Sequence, residues 1–157
     1  MLIDANILLF AVDEATPFHR AAARWLEDRL NGPRRVGLPW QSLGAFLRIS
    51  THPRAAKHPL SPDEAWSYVE EWLTAEVAWI PQPTELHAEV LGSLVTAYQL
   101  RGNLISDAQL AALAIEHGLT LCSADTDFAR FREIRWENPL QVPRSTPGDR
   151  SGQPPGP

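Results

Sequence analysis

The chain opens with Met1-Leu2-Ile3-Asp4-Ala5-Asn6-Ile7-Leu8-Leu9-Phe10-Ala11. A short apolar run stops at an acid, Asp4-Ala5-Asn6 interrupts it, and a second apolar stretch runs from Ile7 to Ala11. This pattern reads as a buried strand ending at Asp4 and feeding a helix. A similar order recurs late in the chain. Leu119 to Cys122 is a strand candidate, and Ser123-Ala124-Asp125-Thr126-Asp127 follows it. Asp125 to Phe131 then reads as a helical turn.

The elements between these two ends alternate. Thr16-Pro17 is expected to open a helix, with Pro at its first position. Phe18, Ala21, Ala22, Trp25, Leu26 and Leu30 follow at helical spacing, and Asn31-Gly32-Pro33 stops it. Val36 to Leu38 is a second strand, and Trp40, Leu43, Phe46 and Leu47 mark the next helix. Ser61-Pro62-Asp63-Glu64 forms a capping box ahead of Trp66, Val69, Trp72 and Leu73. Val77 to Ile80 is a third strand. Leu86, Val90, Leu91, Leu94, Val95 and Tyr98 make a longer helix ending near Gly102. Ser106-Asp107-Ala108-Gln109 reads as a second capping box, with Ile105 and Leu110 as its hydrophobic staple, and that helix runs to His117. Ile134 to Trp136 is the last strand. Short strands alternating with helices predict an α/β fold, a short and mostly parallel sheet flanked by helices. Such sheets hold their sites beyond the carboxyl ends of the strands.

With 157 residues, 44% of them hydrophobic, the chain fits one globular domain. That domain is expected over residues 1–142. The stretch 143–157, rich in Pro and Gly, reads as a disordered tail. Cys122 is the only cysteine, which excludes an internal disulfide and a Cys-based zinc site. The five histidines contain no i, i+4 pair, so a zinc-helix motif is absent as well. No apolar run is long enough to span a bilayer and no basic segment precedes the first one, so a cytoplasmic protein is expected, away from membranes. The net charge of −5 gives no bulk basic footprint for nucleic acid.

Asp4 ends the first strand, Asp125 lies just past the fourth, and Asp107 sits in the first turn of the helix before that fourth strand. If strands one and four are neighbours, the three carboxylates converge, with Asp127 able to join them. Carboxylates in one place raise each other's pKa and repel. A divalent cation such as Mg²⁺ resolves that conflict through oxygen ligands and can serve displacement at phosphorus. Taken singly, each acid also has an ordinary reading: Asp107 favours a helix start, Asp125 is an N-cap, and Asp4 is a turn former.

Three stretches carry a family resemblance. Leu2-Ile3-Asp4-Ala5-Asn6-Ile7-Leu8-Leu9, Gly102-Asn103-Leu104-Ile105-Ser106-Asp107-Ala108 and Ser123-Ala124-Asp125-Thr126-Asp127-Phe128 resemble the first, third and fourth motifs of PIN-domain nucleases. The best likeness is to the VapC toxins of bacterial toxin–antitoxin pairs. Phe46-Leu47-Arg48, Thr51-His52-Pro53 and Trp136-Glu137-Asn138-Pro139-Leu140 resemble a subgroup of them. The resemblance implies a PIN-like three-layer domain and a Mg²⁺- or Mn²⁺-dependent endoribonuclease toxin acting on RNA of the tRNA or rRNA class. It also implies a cognate antitoxin partner and a homodimer. One departure is Ala45, where the family usually has a glutamate, which leaves open one metal or two. The reading adopted is one ion held by Asp4, Asp107 and Asp125, with Asp127 as a supplement and Asn6 and Ser123 orienting ligands or waters. Arg48, His52, Arg54 and Lys57 are candidates for RNA phosphate contacts, the alternative being a solvated loop. The rival function, motivated by Ala45, is an inactive PIN-like protein that binds antitoxin or RNA without cutting.

Overall fold

The structure, a computed structural model, describes residues 1–141. The expected tail, 143–157, lies outside the described residues. The elements in chain order are β1 (Leu2–Ile3), α1 (Ala5–Val12), α2 (His19–Leu30), β2 (Val36–Gly37), α3 (Trp40–Ser50), α4 (Pro62–Thr74), β3 (Ala78–Trp79), α5 (His87–Ala97), α6 (Leu104–Glu116), β4 (Thr120–Cys122), a 3₁₀ turn (Thr126–Arg130) and β5 (Arg135–Glu137).

The five strands form one sheet in the order β3-β2-β1-β4-β5, with every pairing parallel. The α/β expectation holds. From β1 the chain winds outward through β2 and β3, then returns to the other side for β4 and β5. The winding therefore reverses between β1 and β4, where the crevice of such a sheet opens.

Strand side chains alternate between the two faces. Leu2 and Leu121 join one core with Leu94, Ala108, Ala111, Leu113 and Phe128, beneath α5 and α6. Ile3 and Cys122 join the other with Ile7, Leu26, Leu43, Phe46, Val69 and Trp72, beneath α1 to α4. Three layers result. Cys122 is a fully buried strand thiol whose pKa burial pushes up. Gly37 permits close strand packing, because a Cβ there would stand 3.0 Å from Pro81 Cγ and 3.2 Å from the Met1 carbonyl oxygen.

The capping box at α4 is present. The Ser61 hydroxyl accepts from the Glu64 amide at 3.2 Å, and the Glu64 carboxylate accepts from the Ser61 amide at 2.7 Å. Four other sequence expectations need correction. α2 starts at His19 rather than at Pro17, because the Thr16 hydroxyl accepts from the Phe18 amide and the Phe18 ring packs on Phe10. The second capping box does not form. Gly102 turns the chain at φ +58°, the first turn of α6 begins at Leu104, and Ser106 and Ile105 lie inside the helix. α5 stops at Ala97, and Leu86 stays 58% exposed instead of lining its apolar face. Trp66 is 43% exposed, because Ala65, Val69 and Trp72 form the buried face of α4 and leave it one step round the helix.

Candidate active site

Parallel pairing sets β1 beside β4, with Leu2 opposite Leu121 and Ile3 opposite Cys122. Asp4 and Ser123 therefore leave the sheet side by side. The Asp4 amide bonds the Cys122 carbonyl at 3.0 Å and the Ser123 amide bonds the Glu137 carbonyl at 3.1 Å, so both positions are fixed by backbone.

Asp4 is the N-cap of α1. Its Oδ1 accepts from the Ala5 amide at 2.6 Å, and its Oδ2 accepts from Asn6 Nδ2 at 2.8 Å and Ser123 Oγ at 2.7 Å. Asn6 Nδ2 also reaches Ser123 Oγ at 2.8 Å, and Asn6 Oδ1 accepts from the Ala124 amide at 3.1 Å. Ser123 Oγ accepts from the Asp125 amide at 3.0 Å. Asn6 and Ser123, expected to orient the acids, make these contacts directly. Trp136 was not among the expected site residues, yet its Nε1 donates to the Ser123 carbonyl at 3.0 Å. The only signal in the sequence was the stretch from Trp136 to Leu140.

Asp125 caps the 3₁₀ turn, its Oδ1 accepting from the Asp127 amide at 2.8 Å. Asp127 faces an arginine that sequence reading missed: Arg130 Nη2 stands 2.6 Å from its Oδ1. The i, i+3 spacing on a turn was the available clue. Asp107 lies in the first turn of α6 and accepts no hydrogen bond among the described residues.

Electrostatics joins the acids. Burial pushes the pKa of Asp107 up to about 6, and the charges of Asp125, Asp4 and Asp127 add to the rise against a smaller opposing effect of Arg130. Asp4 is also raised, first by burial, with bonds from Ser123 and Ala5 working the other way and the charge of Asp125 adding to it. Among the described residues, no three His, Cys, Asp or Glu side chains are drawn close enough to ligate one ion as they stand. Arg48 lies in the last turn of α3, and His52, Arg54 and Lys57 occupy the exposed loop beyond it. Ala45 is half-buried on α3.

Fold and site together define a class: a doubly wound parallel α/β domain with Asp4 and Asp125 at the strand ends where the winding reverses. The PIN domain family model matches residues 1–134. Ribonuclease VapC37 of Mycobacterium tuberculosis is 41% identical over 138 residues, covering 88% of this chain and 96% of that protein. Ribonuclease VapC33 of the same species is 38% identical over the same shares. The chain belongs to the PIN-domain family, in its VapC ribonuclease branch. Among solved structures, VapBC2 from Rickettsia felis, bound to a promoter DNA fragment, superposes with a TM-score of 0.65 at 18% identity, covering 87% of this chain and 96% of that one. Mycobacterium tuberculosis VapC20, described as a toxin that cleaves the sarcin-ricin loop, gives 0.62 at 18% identity, covering 85% and 98%. Both bear out the fold. No helix among the described residues is long and apolar enough to cross a membrane.

Proposed function

We propose that the chain is the toxin of a toxin–antitoxin pair, a divalent-ion-dependent endoribonuclease that hydrolyses phosphodiester bonds in cytoplasmic RNA of the tRNA or rRNA class. The observation that carries this reading is the parallel pairing of β1 with β4, which sets Asp4 beside Ser123 and Asp125 where the winding reverses. The half-buried Asp107, its pKa raised by burial, is near enough for the charges of Asp125 and Asp4 to raise it further. Acids held together against their own repulsion call for a counter-charge. The chemistry of the donor set suits a hard divalent cation such as Mg²⁺ or Mn²⁺, because it offers carboxylate oxygens and Arg130 is engaged with Asp127, and the side chains would draw inward to meet the ion. Asp4, Asp107 and Asp125 would hold that ion, with Asp127 as a supplement. When bound, it supplies charge neutralisation and Lewis acidity toward a phosphodiester.

The chain's own residues do the rest. Ser123 and Ala5 fix the Asp4 carboxylate from two sides, so its orientation does not change when substrate arrives. The Asp127 amide fixes Asp125 in the same way. Asn6 ties the two strand ends together through Ser123 Oγ and the Ala124 amide. The frame is thus set before the reaction begins.

Solved structures of similar fold include VapBC-1 from nontypeable Haemophilus influenzae and a toxin–antitoxin complex from Klebsiella pneumoniae. These support a cognate antitoxin as this chain's partner; a homodimer is the assembly that the family resemblance implies. The test is cleavage of total tRNA and rRNA by the purified chain, with Mg²⁺ and with chelator, alongside Asp107→Asn. Mg²⁺-dependent cleavage that the variant loses is expected. Equal cleavage by both proteins removes the mechanism, and binding without cleavage by either one favours the inactive reading that Ala45 motivates.

A further inference from the structure

We propose that the outward face of α3 is a track for single-stranded RNA leading away from the acids. Trp40 stacks one base, Arg48 takes a phosphate, and Trp66 stacks a second base. This rests on the reading that the chain cuts RNA.

Register places the start of the track. Leu2 pairs with Gly37, so stepping along the parallel strands brings Asp4 level with Pro39. Adjacent strands lie about 4.8 Å apart. Trp40 is the next residue and the first of α3. It emerges on the carboxyl edge of the sheet beside Asp4, and its indole is 47% exposed. No aromatic ring or cation among the described residues stacks on it. A large indole left bare at the lip of a nuclease site meets the substrate's bases.

The helix continues that surface. Trp40, Gly44 and Arg48 recur every four residues and are exposed, while Ser42, Phe46 and Ser50 face inward. Gly44 leaves the middle bare, with nothing within 4 Å of where its Cβ would be. A flat base or sugar can lie against the helix there. Arg48 forms no ion pair among the described residues, so its guanidinium is free for a phosphate. It stands about 12 Å along the axis from Trp40, which suits a short run of nucleotides rather than one.

Beyond Arg48 a shallow groove lies between α3 and α4, lined by Leu47, Arg48, Thr51, Pro62, Asp63 and Trp66. Trp66 is 43% exposed, and Glu70 holds its Nε1 at 2.9 Å, which keeps the ring in place. Asp63 repels phosphate from the α4 wall, so the backbone lies on the α3 side and the base reaches across. An aromatic, a cation and an aromatic in succession form the pattern by which proteins hold single strands without reading sequence.

The probe is a fluorescein-labelled, single-stranded hexa-adenylate, and anisotropy is read in chelator so that turnover does not consume it. Trp40→Ala and Trp66→Ala should each weaken binding about 5- to 150-fold, the range of one lost base stack. Trp40→Phe should recover most of the loss. Arg48→Gln should weaken binding and flatten its salt dependence by about 0.7 in slope. Leu86→Ala, an exposed apolar change on another element, should bind as wild type does. Circular dichroism confirms that each variant is folded. Unchanged affinity in folded Trp40→Ala overturns the track. So does a halved particle mass in that variant with affinity per chain intact, which would make the face a contact between copies. Wild-type cleavage of RNA with track variants equal to it defeats the track alone. Hexa-adenylate binding that needs Trp40, by a chain that cleaves no RNA, defeats the nuclease reading alone.

Discussion

Replacing Asp107 with Asn should make the ion-free protein more stable and the enzyme inactive. The folded-state pKa of Asp107 lies near 6, against 3.8 unperturbed. A raised carboxylate pKa means that folding favours the protonated form. The stabilisation is fully present below the unfolded pKa and is lost as pH rises through about 6. At about 1.36 kcal/mol per pKa unit, the shift amounts to roughly 3 kcal/mol for a fully buried group. Asp107 is only half-buried, and solvent screening reduces this to about 1–1.5 kcal/mol. In chelator at pH 8 the Asn variant should therefore melt roughly 2–6 °C above wild type. That advantage should shrink as pH falls from 7 toward 4. Mg²⁺ should raise the melting temperature of wild type at pH 8 and leave the variant nearly unmoved. Scanning calorimetry across pH, with and without Mg²⁺, reads all three effects. A variant no more stable than wild type at pH 8, or a gain that does not change with pH, refutes the electrostatic reasoning.

Ser123→Ala should remove a fully buried hydroxyl that donates to Asp4 and accepts from Asn6 and the Asp125 amide. A stability loss of about 1–3 kcal/mol is expected, with a fall in kcat larger than any change in KM, checked by urea titration and RNA cleavage kinetics. Phe46→Ala empties a core site against Trp72, 4.8 Å between ring centroids. The expected cost is about 3–5 kcal/mol in urea unfolding, with cleavage per folded molecule kept. Gly37→Ala should also destabilise, because the new methyl would meet Pro81, Leu2 and the Met1 carbonyl at 3.0–3.2 Å; a lowered melting temperature checks it.

The first four strands were legible because each lies in a short apolar run ended by punctuation, and β1 and β4 are both followed by an acid, whereas β5, Arg135–Glu137, carries only Trp136 as an apolar signal. Their neighbourhood was legible only through the rule that places sites at strand carboxyl ends. Which side of a helix faces in was harder to read. On α4 the apolar residues span more arc than the core can cover, so Trp66, one step from Ala65, falls outside. The start of α6 depends on the turn at Gly102, a backbone conformation that the Ser106-to-Gln109 pattern does not encode. The turn over residues 126–130 was legible, and the Arg130 contact follows from the i, i+3 spacing on it, which the sequence reading did not use.

The ordinary reading holds for Asp4 and Asp125, and the topology explains why it leaves room for the proposed one. Where the winding reverses, β1 and β4 each release the chain into a helical turn, so two N-termini lie side by side. Each needs a cap, and a carboxylate serves well there. Asp4 caps α1 and Asp125 caps the 3₁₀ turn. Capping alone therefore carries two acids into the crevice, at a cost that Ser123 and the turn amides partly offset. Asp107 is different. It accepts no hydrogen bond among the described residues, it is half-buried, and three like charges act on it. Locally its charge gains only the modest attraction of the α6 N-terminus, which burial and the repulsion of the other carboxylates oppose. On the proposed reading a cation offsets that opposition, so Asp107 is the position whose substitution tells a nuclease from a domain that merely has well-capped helices.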